Sequence, residues 1–239
     1  MRKVIYGFGV GLLTFTLGAV VYYLTTLKPA SQPAPVTKPA EVQAEQKPEV
    51  KAPPGPVNVS IILRSGSIDK EHPAFNYRTL KLSEKPVVVD DLDIEEDVDG
   101  EEITIVGGDE STRFRISERY RTSVTVMGEG PHLDLVHWRH FDSEWMPLEQ
   151  LAQGKFRTLA GERMNVEEFP AATKEELVAA ARKAAGDWQE AVDLAKTCPG
   201  PNEAPCAVAV SSVYFRIEML VGDEWTRVGV VEVLIPMGC

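Results

Sequence analysis

The chain has 239 residues and 44% hydrophobic content, so it can bury one sizeable core or two small ones and is not an intrinsically disordered protein. Of its 25 basic and 36 acidic side chains, residues 1–56 hold six and three, which leaves residues 57–239 with a net charge of −14. So acidic a surface disfavours nucleic acid and anionic lipid headgroups as partners of the folded part.

The amino terminus predicts a membrane anchor. Residues 4–27 run without a charged side chain, and as a helix they would extend ~36 Å against a hydrocarbon core of about 30 Å. Arg2 and Lys3 precede this run and favour a cytoplasmic amino terminus. We therefore predict a single-pass signal anchor over residues 1–27, with a cleaved secretory signal as the alternative. Either way the remainder is extracytoplasmic, and periplasmic if the source is bacterial.

Small residues form a stripe along this apolar segment. Gly7, Gly11 and Gly18 recur at spacings that place them on one side of a helix, where a second helix could approach closely. The stripe is compatible with a homodimer or another membrane partner. The alternative is an anchor that contacts no partner, because small residues are common in membrane helices generally.

Residues 28–56 predict a linker. They contain eight prolines among polar residues and alanine, with no apolar periodicity. Such a segment is semi-stiff and reaches ~90 Å when fully extended. The layout of anchor and spacer resembles that of the TonB and TolA proteins, which place both before a carboxy-terminal interaction domain. This resemblance covers composition alone and implies that residues 57–239 are held away from the membrane to contact a partner.

Residues 57–239 predict an α+β domain with a mainly antiparallel sheet. Six short segments rich in β-branched or aromatic residues read as strands, at 57–64, 75–82, 102–107, 112–117, 121–127 and 132–138. Gly128, Gly130 and Pro131 predict a hairpin between the last two. A second hairpin is predicted between residues 209–220 and 225–235, with Gly222 and Asp223 in its turn.

One long packed helix is predicted after this strand-rich region. Thr173 and Glu176 form a capping-box pattern, and proline at position 199 ends the helix. The apolar positions recur at three and four residues and define one buried face: Leu177, Ala181, Ala184, Trp188, Ala191 and Ala195.

The cysteines fit an exported protein. Cys198 and Cys206 flank a short loop rich in turn residues, which a disulfide can close in an oxidising compartment. Cys239 is left without a partner by count, so it is free or links two chains.

Three of the four histidines fall within residues 132–140 and raise the question of a zinc site. The candidate ligands are His132, Asp134, His137 and His140. In a strand, alternation would place His132 and Asp134 on one face and His137 on the other. The spacing matches no standard zinc motif, so ordinary strand and turn residues are the favoured interpretation.

Residues 90–102 hold nine carboxylates in thirteen positions. Glu95, Asp97 and Asp99 followed by Gly100 resemble the first half of an EF-hand calcium loop. However, the first ligand is not aspartate, and Val106 occupies the place of the bidentate glutamate. A weak calcium site is the hypothesis here, and a solvated acidic loop is the favoured alternative.

The sequence contains no motif typical of a nucleophilic or nucleotide-binding enzyme. The leading hypothesis is therefore a membrane-anchored binding or assembly module that contacts an envelope protein or a wall component. One alternative is a metal-dependent hydrolase that uses the histidine segment. The other is a structural domain stabilised by calcium.

Overall fold

The computed structural model describes residues 58–68, 71, 73–127, 132–161, 165 and 168–237. The predicted anchor with its glycine stripe, the linker, the turn residues 128–131 and Cys239 lie outside the described residues. Within the described ranges, no helix is long and apolar enough to cross a membrane.

Strands account for most of the regular structure. In chain order the described residues form β1 (Ser60–Ser67), β2 (Phe75–Lys81), β3 (Val87–Val89), β4 (Glu96–Asp97), β5 (Glu102–Val106), β6 (Phe114–Val126), β7 (Leu133–Asp134), β8 (Phe141–Asp142), β9 (Met146–Pro147), β10 (Glu149–Ala152), β11 (Lys155–Arg157), α1 (Lys174–Ala185), α2 (Gln189–Ala195), β12 (Cys206–Val221) and β13 (Glu224–Leu234). The predicted α+β class with a mainly antiparallel sheet is confirmed.

The strands are divided between two sheets. The smaller sheet has the order β10-β11-β5-β1-β2, and β4 also pairs with β1. The larger sheet has the order β3-β13-β12-β6-β7, and β8 and β9 also pair with β6. Among the strands of the described residues, only β3 and β13 run parallel, and the other pairs are antiparallel.

The two sheets share one hydrophobic core. Alternate side chains of β1, such as Ile61 and Leu63, are buried, as are Phe215 and Ile217 of β12. These residues belong to one cluster that also takes in β5, β6, β11 and β13. The inner face of each sheet is therefore apolar, and its outer face carries the alternate, more polar residues.

A second cluster joins the helices to one end of the larger sheet. Leu177 and Ala181 of α1 and Ala191 and Ala195 of α2 pack with residues of β6, β7 and the start of β12. The predicted disulfide between Cys198 and Cys206 is confirmed, and both cysteines are buried in this cluster.

The single long helix predicted from residue 173 to residue 197 is wrong, because the segment forms two short helices. The capping box of Thr173 and Glu176 is present as predicted. Gly186, however, has φ +57° and ψ −118°, which ends α1 and redirects the chain. Leu177, Ala181, Ala191 and Ala195 are buried in the same cluster, and Trp188 packs against it. Ala184 is exposed, so the predicted buried face is wrong at that position.

Two strand predictions also need correction. Residues 112–117 and 121–127 were predicted as separate strands, but both fall in the continuous β6, whose Glu118 and Arg119 are held by contacts on opposite faces. The strand predicted at 132–138 shortens to β7, because the chain turns at once and Trp138 N–H donates to Leu135 C=O. The hairpin of β12 and β13 is confirmed.

Candidate binding surface

Four arginines line the outer face of β6. Phe114, Ile116 and Tyr120 are buried in the shared core, so the residues between them point to the other side of the sheet. Those residues include a run of basic side chains: Arg113, Arg115, Arg119 and Arg121. Alternation thus converts the stretch RFRISERYR into a basic row.

The neighbouring strands extend this row across the larger sheet. In the β6–β12 register, Tyr214 lies beside Arg119 and Arg216 lies beside Ser117. In the β12–β13 register, Arg227 lies beside Glu218 and Trp225 beside Leu220. We call this surface the arginine face. It comprises Arg113, Arg115, Arg119, Arg121, Arg216 and Arg227 with the aromatic residues Trp145, Tyr214 and Trp225.

Aromatic rings hold the guanidinium groups in place. The Arg119 guanidinium lies 4.7 Å from the centroid of the Tyr214 ring and 5.0 Å from that of Trp145. Arg216 contacts the Trp145 ring as well, at 4.7 Å. A planar guanidinium stacked in this way keeps its in-plane N–H donors free for a carboxylate or phosphate. The face is therefore a preorganised array of donors.

Carboxylates neutralise only part of the arginine face. Arg115 Nε donates to Glu218 at 2.8 Å, and Arg121 donates to both oxygens of Asp142 at 2.8 and 3.1 Å. Arg216 Nε lies 3.6 Å from Glu218 and has no hydrogen-bond partner. The side chains of Arg113, Arg119 and Arg227 make no ion pair with a carboxylate in the described part of the chain.

Three groups at the Arg121 end of the face have shifted pKa values: Arg121, its partner Asp142, and Tyr214. The hydrogen bond from Arg121 holds the pKa of Asp142 below its ordinary value, and the same bond raises the pKa of Arg121. Burial, followed by the hydrogen bond to Glu232, raises the pKa of Tyr214. Arg121 and Tyr214 therefore keep their protons at neutral pH, and Asp142 stays ionised.

A cleft of about 780 Å³ opens at the other end of the arginine face. Arg113, Arg115 and Trp225 line one side, and the β10–β11 hairpin lines the other with Gln150 and Gln153. Trp225 is 37% exposed while the guanidinium of Arg115 lies 4.6 Å from its ring centroid. The cleft is of the size usual for ligand sites and is lined by hydrogen-bond donors.

No expectation from the sequence pointed to the arginine face. The signal that could have found it is the recurrence of arginine at positions 113, 115, 119 and 121, because period two places every second side chain on one face of a strand. Trp145, Arg216 and Arg227 had no comparable signal, since only strand pairing brings them beside β6.

Of the four candidate zinc ligands, Asp134 and His137 line the same small cleft, and His140 lies beside Asp142. Asp134 lies in β7 with one buried oxygen, Oδ1, that has no hydrogen-bond partner, and His132 Nδ1 is likewise buried and unpartnered. His137 lies on the turn after β7 and lines a small cleft of about 190 Å³ beside Trp138. The exposed His140 has its Nε2 3.8 Å from Asp142 Oδ2, on the arginine face.

The acidic segment is paired with arginine. The guanidinium of Arg78 donates to Asp91 and Glu96, and that of Arg64 to Glu101. Of the candidate calcium ligands, Glu95 is exposed and Asp97 Oδ1 accepts from the backbone N–H of Val98 and Asp99. Glu96 and Glu101 are buried in these ion pairs, so part of the segment differs from the solvated acidic loop favoured from the sequence.

Among the described residues, no group of three or more His, Cys, Asp or Glu side chains is arranged to hold a metal ion. Both the zinc and the calcium hypotheses stay predictions. Comparison of the chain with family models, with curated proteins and with solved structures finds no match.

Proposed function

We propose that the chain is a membrane-anchored binding module whose extracytoplasmic domain holds an anionic component of the cell envelope on the arginine face. The observation that carries this proposal is the set of unpaired guanidinium groups on that face: Arg113, Arg119 and Arg227. Residues 57–239 have a net charge of −14, yet this surface holds six arginines. A local reversal of charge sign steers oppositely charged partners and excludes others.

The rigidity of the face supports binding over a purely structural role. Arg119 lies between two rings and Arg216 lies against one, so little side-chain entropy is lost when a partner accepts their hydrogen bonds. Arginine and tryptophan are also the side chains that most often dominate binding interfaces. A stabilising ion-pair network would instead match each arginine with a carboxylate.

Two features support the extracytoplasmic location in this proposal. The apolar run at residues 4–27 suits an anchor. The disulfide between Cys198 and Cys206 suits an oxidising compartment, because such bonds rarely persist in a reducing cytosol. The proline-rich segment at residues 28–56 then lets the domain reach partners at a distance from the membrane.

The test compares charge reversal on the two outer sheet faces. The full-length chain in detergent, immobilised through a carboxy-terminal tag, is incubated with solubilised envelope proteins and with insoluble wall material. The test variant is Arg113→Glu/Arg227→Glu on the larger sheet. The control is Lys155→Glu/Arg157→Glu on β11, whose side chains flank the buried Phe156 and lie on the outer face of the smaller sheet.

We expect the wild-type chain and the control to retain an anionic component that the test variant loses. The retained component should elute with salt, because exposed ion pairs are screened. If both variants and the wild-type chain retain the same components, the arginine face is not the binding site.

A further inference from the structure

Four guanidinium groups of the arginine face have no hydrogen-bonded carboxylate in the part of the chain that the structure describes, and these four follow a regular repeat along β6. The backbone N–H of Leu220 donates to the C=O of Arg113, so Leu220 lies beside Arg113, just before the start of β6. Trp225 pairs with Leu220 across the next strand boundary and therefore lies at the same level along β6. Arg227 is level with Arg115, because both neighbour Glu218. Arg216 is level with Ser117, two residues further along the strand.

These registers place one arginine without a hydrogen-bonded carboxylate at each two-residue step; of the four, Arg216 alone is within ion-pair distance of a carboxylate among the described residues, Glu218 at 3.6 Å. The order along β6 is Arg113, Arg227, Arg216 and Arg119. A two-residue step in a strand is about 6.8 Å long. The four groups therefore repeat at the pleat spacing over three steps, in a zigzag across β6, β12 and β13.

We infer that the arginine face binds an extended acidic peptide whose carboxylates stand at every second residue. Measured along the strand direction, such a peptide has the same repeat as the four arginines, because its alternate side chains lie on one side at a spacing of about 6.8 Å. Arg216 and Arg227 lie one and two strands away from β6, so their side chains must reach about 5 and 10 Å across the sheet to meet it. This inference rests on the proposed function and deepens it, since it names a protein segment as the anionic component.

Two further features fit a peptide that lies along β6. The paired arginines, Arg115 and Arg121, keep their own carboxylates, Glu218 and Asp142, so they do not compete for the ligand. The cleft beside Trp225 and Gln150 lies at the Arg113 end, where it offers amide groups and a ring to the peptide terminus or to a larger side chain.

The experiment measures the binding of defined probes to the full-length chain in detergent by fluorescence anisotropy. Two labelled twelve-residue peptides have equal composition: one alternates glutamate and threonine, and the other places its six glutamates in a block. Polygalacturonate serves as an anionic glycan competitor. The arginine variants are Arg119→Gln/Arg216→Gln and, at exposed positions, Arg113→Gln/Arg227→Gln. Lys155→Gln/Arg157→Gln is the control.

We expect the alternating peptide to bind about threefold more tightly than the block peptide. Six consecutive glutamates place only three on one side of an extended peptide, so the block peptide misses one of the four exposed ion pairs. Both arginine variants should lose this preference, and the control should keep it. Arg119→Gln/Arg216→Gln removes side chains that contact aromatic rings and so could disturb the fold. Arg113→Gln/Arg227→Gln changes exposed side chains only, so its loss of preference reports on binding.

Equal binding of the two peptides, or a preference that survives Arg113→Gln/Arg227→Gln, overturns the inference. If polygalacturonate binds and neither peptide does, the inference fails while the proposed function stands. If no anionic probe binds, both fail.

Discussion

At the scale of single residues, the outer face of the larger sheet combines two kinds of arginine. Arg121 is joined to Asp142 by two hydrogen bonds, with side-chain exposures of 27% and 29%. Arg119 lies between two rings without a carboxylate. The first arrangement stabilises the fold at β8, and the second leaves a guanidinium available for a ligand.

Asp142→Asn should destabilise the folded chain by about 1–2 kcal/mol at pH 7, because a half-buried, charge-assisted hydrogen bond to Arg121 is lost. The pKa of Asp142 is lower in the folded chain than its ordinary value. Its contribution is therefore complete above the unfolded pKa of about 4 and is lost as the pH falls through the folded value. Urea unfolding at pH 7 and at pH 3 should show the difference from wild type shrinking at the lower pH.

Asp193→Asn is the matched control for this prediction. Asp193 also has a lowered pKa, through its hydrogen bond from Lys196, but both side chains are well exposed. Removing this surface pair should leave the urea midpoint unchanged. A loss for Asp142→Asn no greater than that for Asp193→Asn would contradict the stabilising role of the Arg121 pair.

At the scale of elements, the break between α1 and α2 decides how the helical segment packs. Gly186 has a positive φ, and a Cβ built there meets no neighbouring atom within 4 Å. Glycine is therefore required at position 186 because of its positive φ, and not because a side chain would clash with a neighbour. The break lets Leu177 of α1 and Ala191 of α2 enter the same cluster at the end of β6.

Gly186→Ala should lower the free energy of unfolding by about 1–3 kcal/mol, because a side chain strains this backbone conformation. The neighbouring Asp187→Ala serves as the control, since Asp187 is exposed and α1 has already ended. Thermal melts followed by circular dichroism measure both. An unchanged melting temperature for Gly186→Ala would mean that the chain can form a different connection at this point.

The disulfide joins the segment after α2 to the start of β12. Cys198 and Cys206 are separated by eight positions and both are buried in the cluster that holds the helices. Loss of the disulfide raises the conformational entropy of the unfolded chain more than that of the folded chain. The bond therefore fixes the helical unit to the sheet at one end of the arginine-bearing strands.

In a Cys239→Ser background, Cys198→Ala/Cys206→Ala should reduce stability by about 2–3 kcal/mol, from the entropy of closing so short a loop. Dithiothreitol should lower the melting temperature of the parent and leave that of the double variant unaltered. Equal sensitivity of the two proteins to the reductant would show that this disulfide does not contribute to stability.

At the scale of the whole molecule, charge is distributed unevenly. The domain is strongly acidic, but its carboxylates at residues 90–102 are met in part by Arg64 and Arg78 of the smaller sheet. The larger sheet presents the opposite sign on its outer face. The outer faces of the two sheets therefore differ in electrostatic potential and attract partners of different charge. The proposed function uses the basic face.

The predicted division of the chain at residue 57 can be tested by limited proteolysis of the full-length protein. A glutamate-specific protease should cut first after Glu41, Glu45 or Glu49, since the linker is predicted to be extended and unprotected. Residues 57–239 should survive as one fragment by mass spectrometry, although they are rich in glutamate. First cleavage within residues 90–102 would contradict the division and indicate that the acidic segment is open.

The sequence by itself determined the local features of this protein. The capping box at Thr173, the disulfide between Cys198 and Cys206, the hairpin around Gly222 and the mainly antiparallel class all follow from neighbouring residues, and the structure has each of them. These features depend on turn chemistry, loop length and periodicity, which act over a few residues.

Only the tertiary structure decided which distant residues meet. The continuous β6, the division of the strands between two sheets and the convergence of Arg119, Trp145 and Arg216 depend on strand pairing between residues far apart in the chain. Period-two alternation marks which side chains share a face of one strand, but it does not select the neighbouring strand. For that physical reason, the sequence pointed to the three histidines within residues 132–140. The candidate binding surface consists of arginines, which only strand pairing brings together.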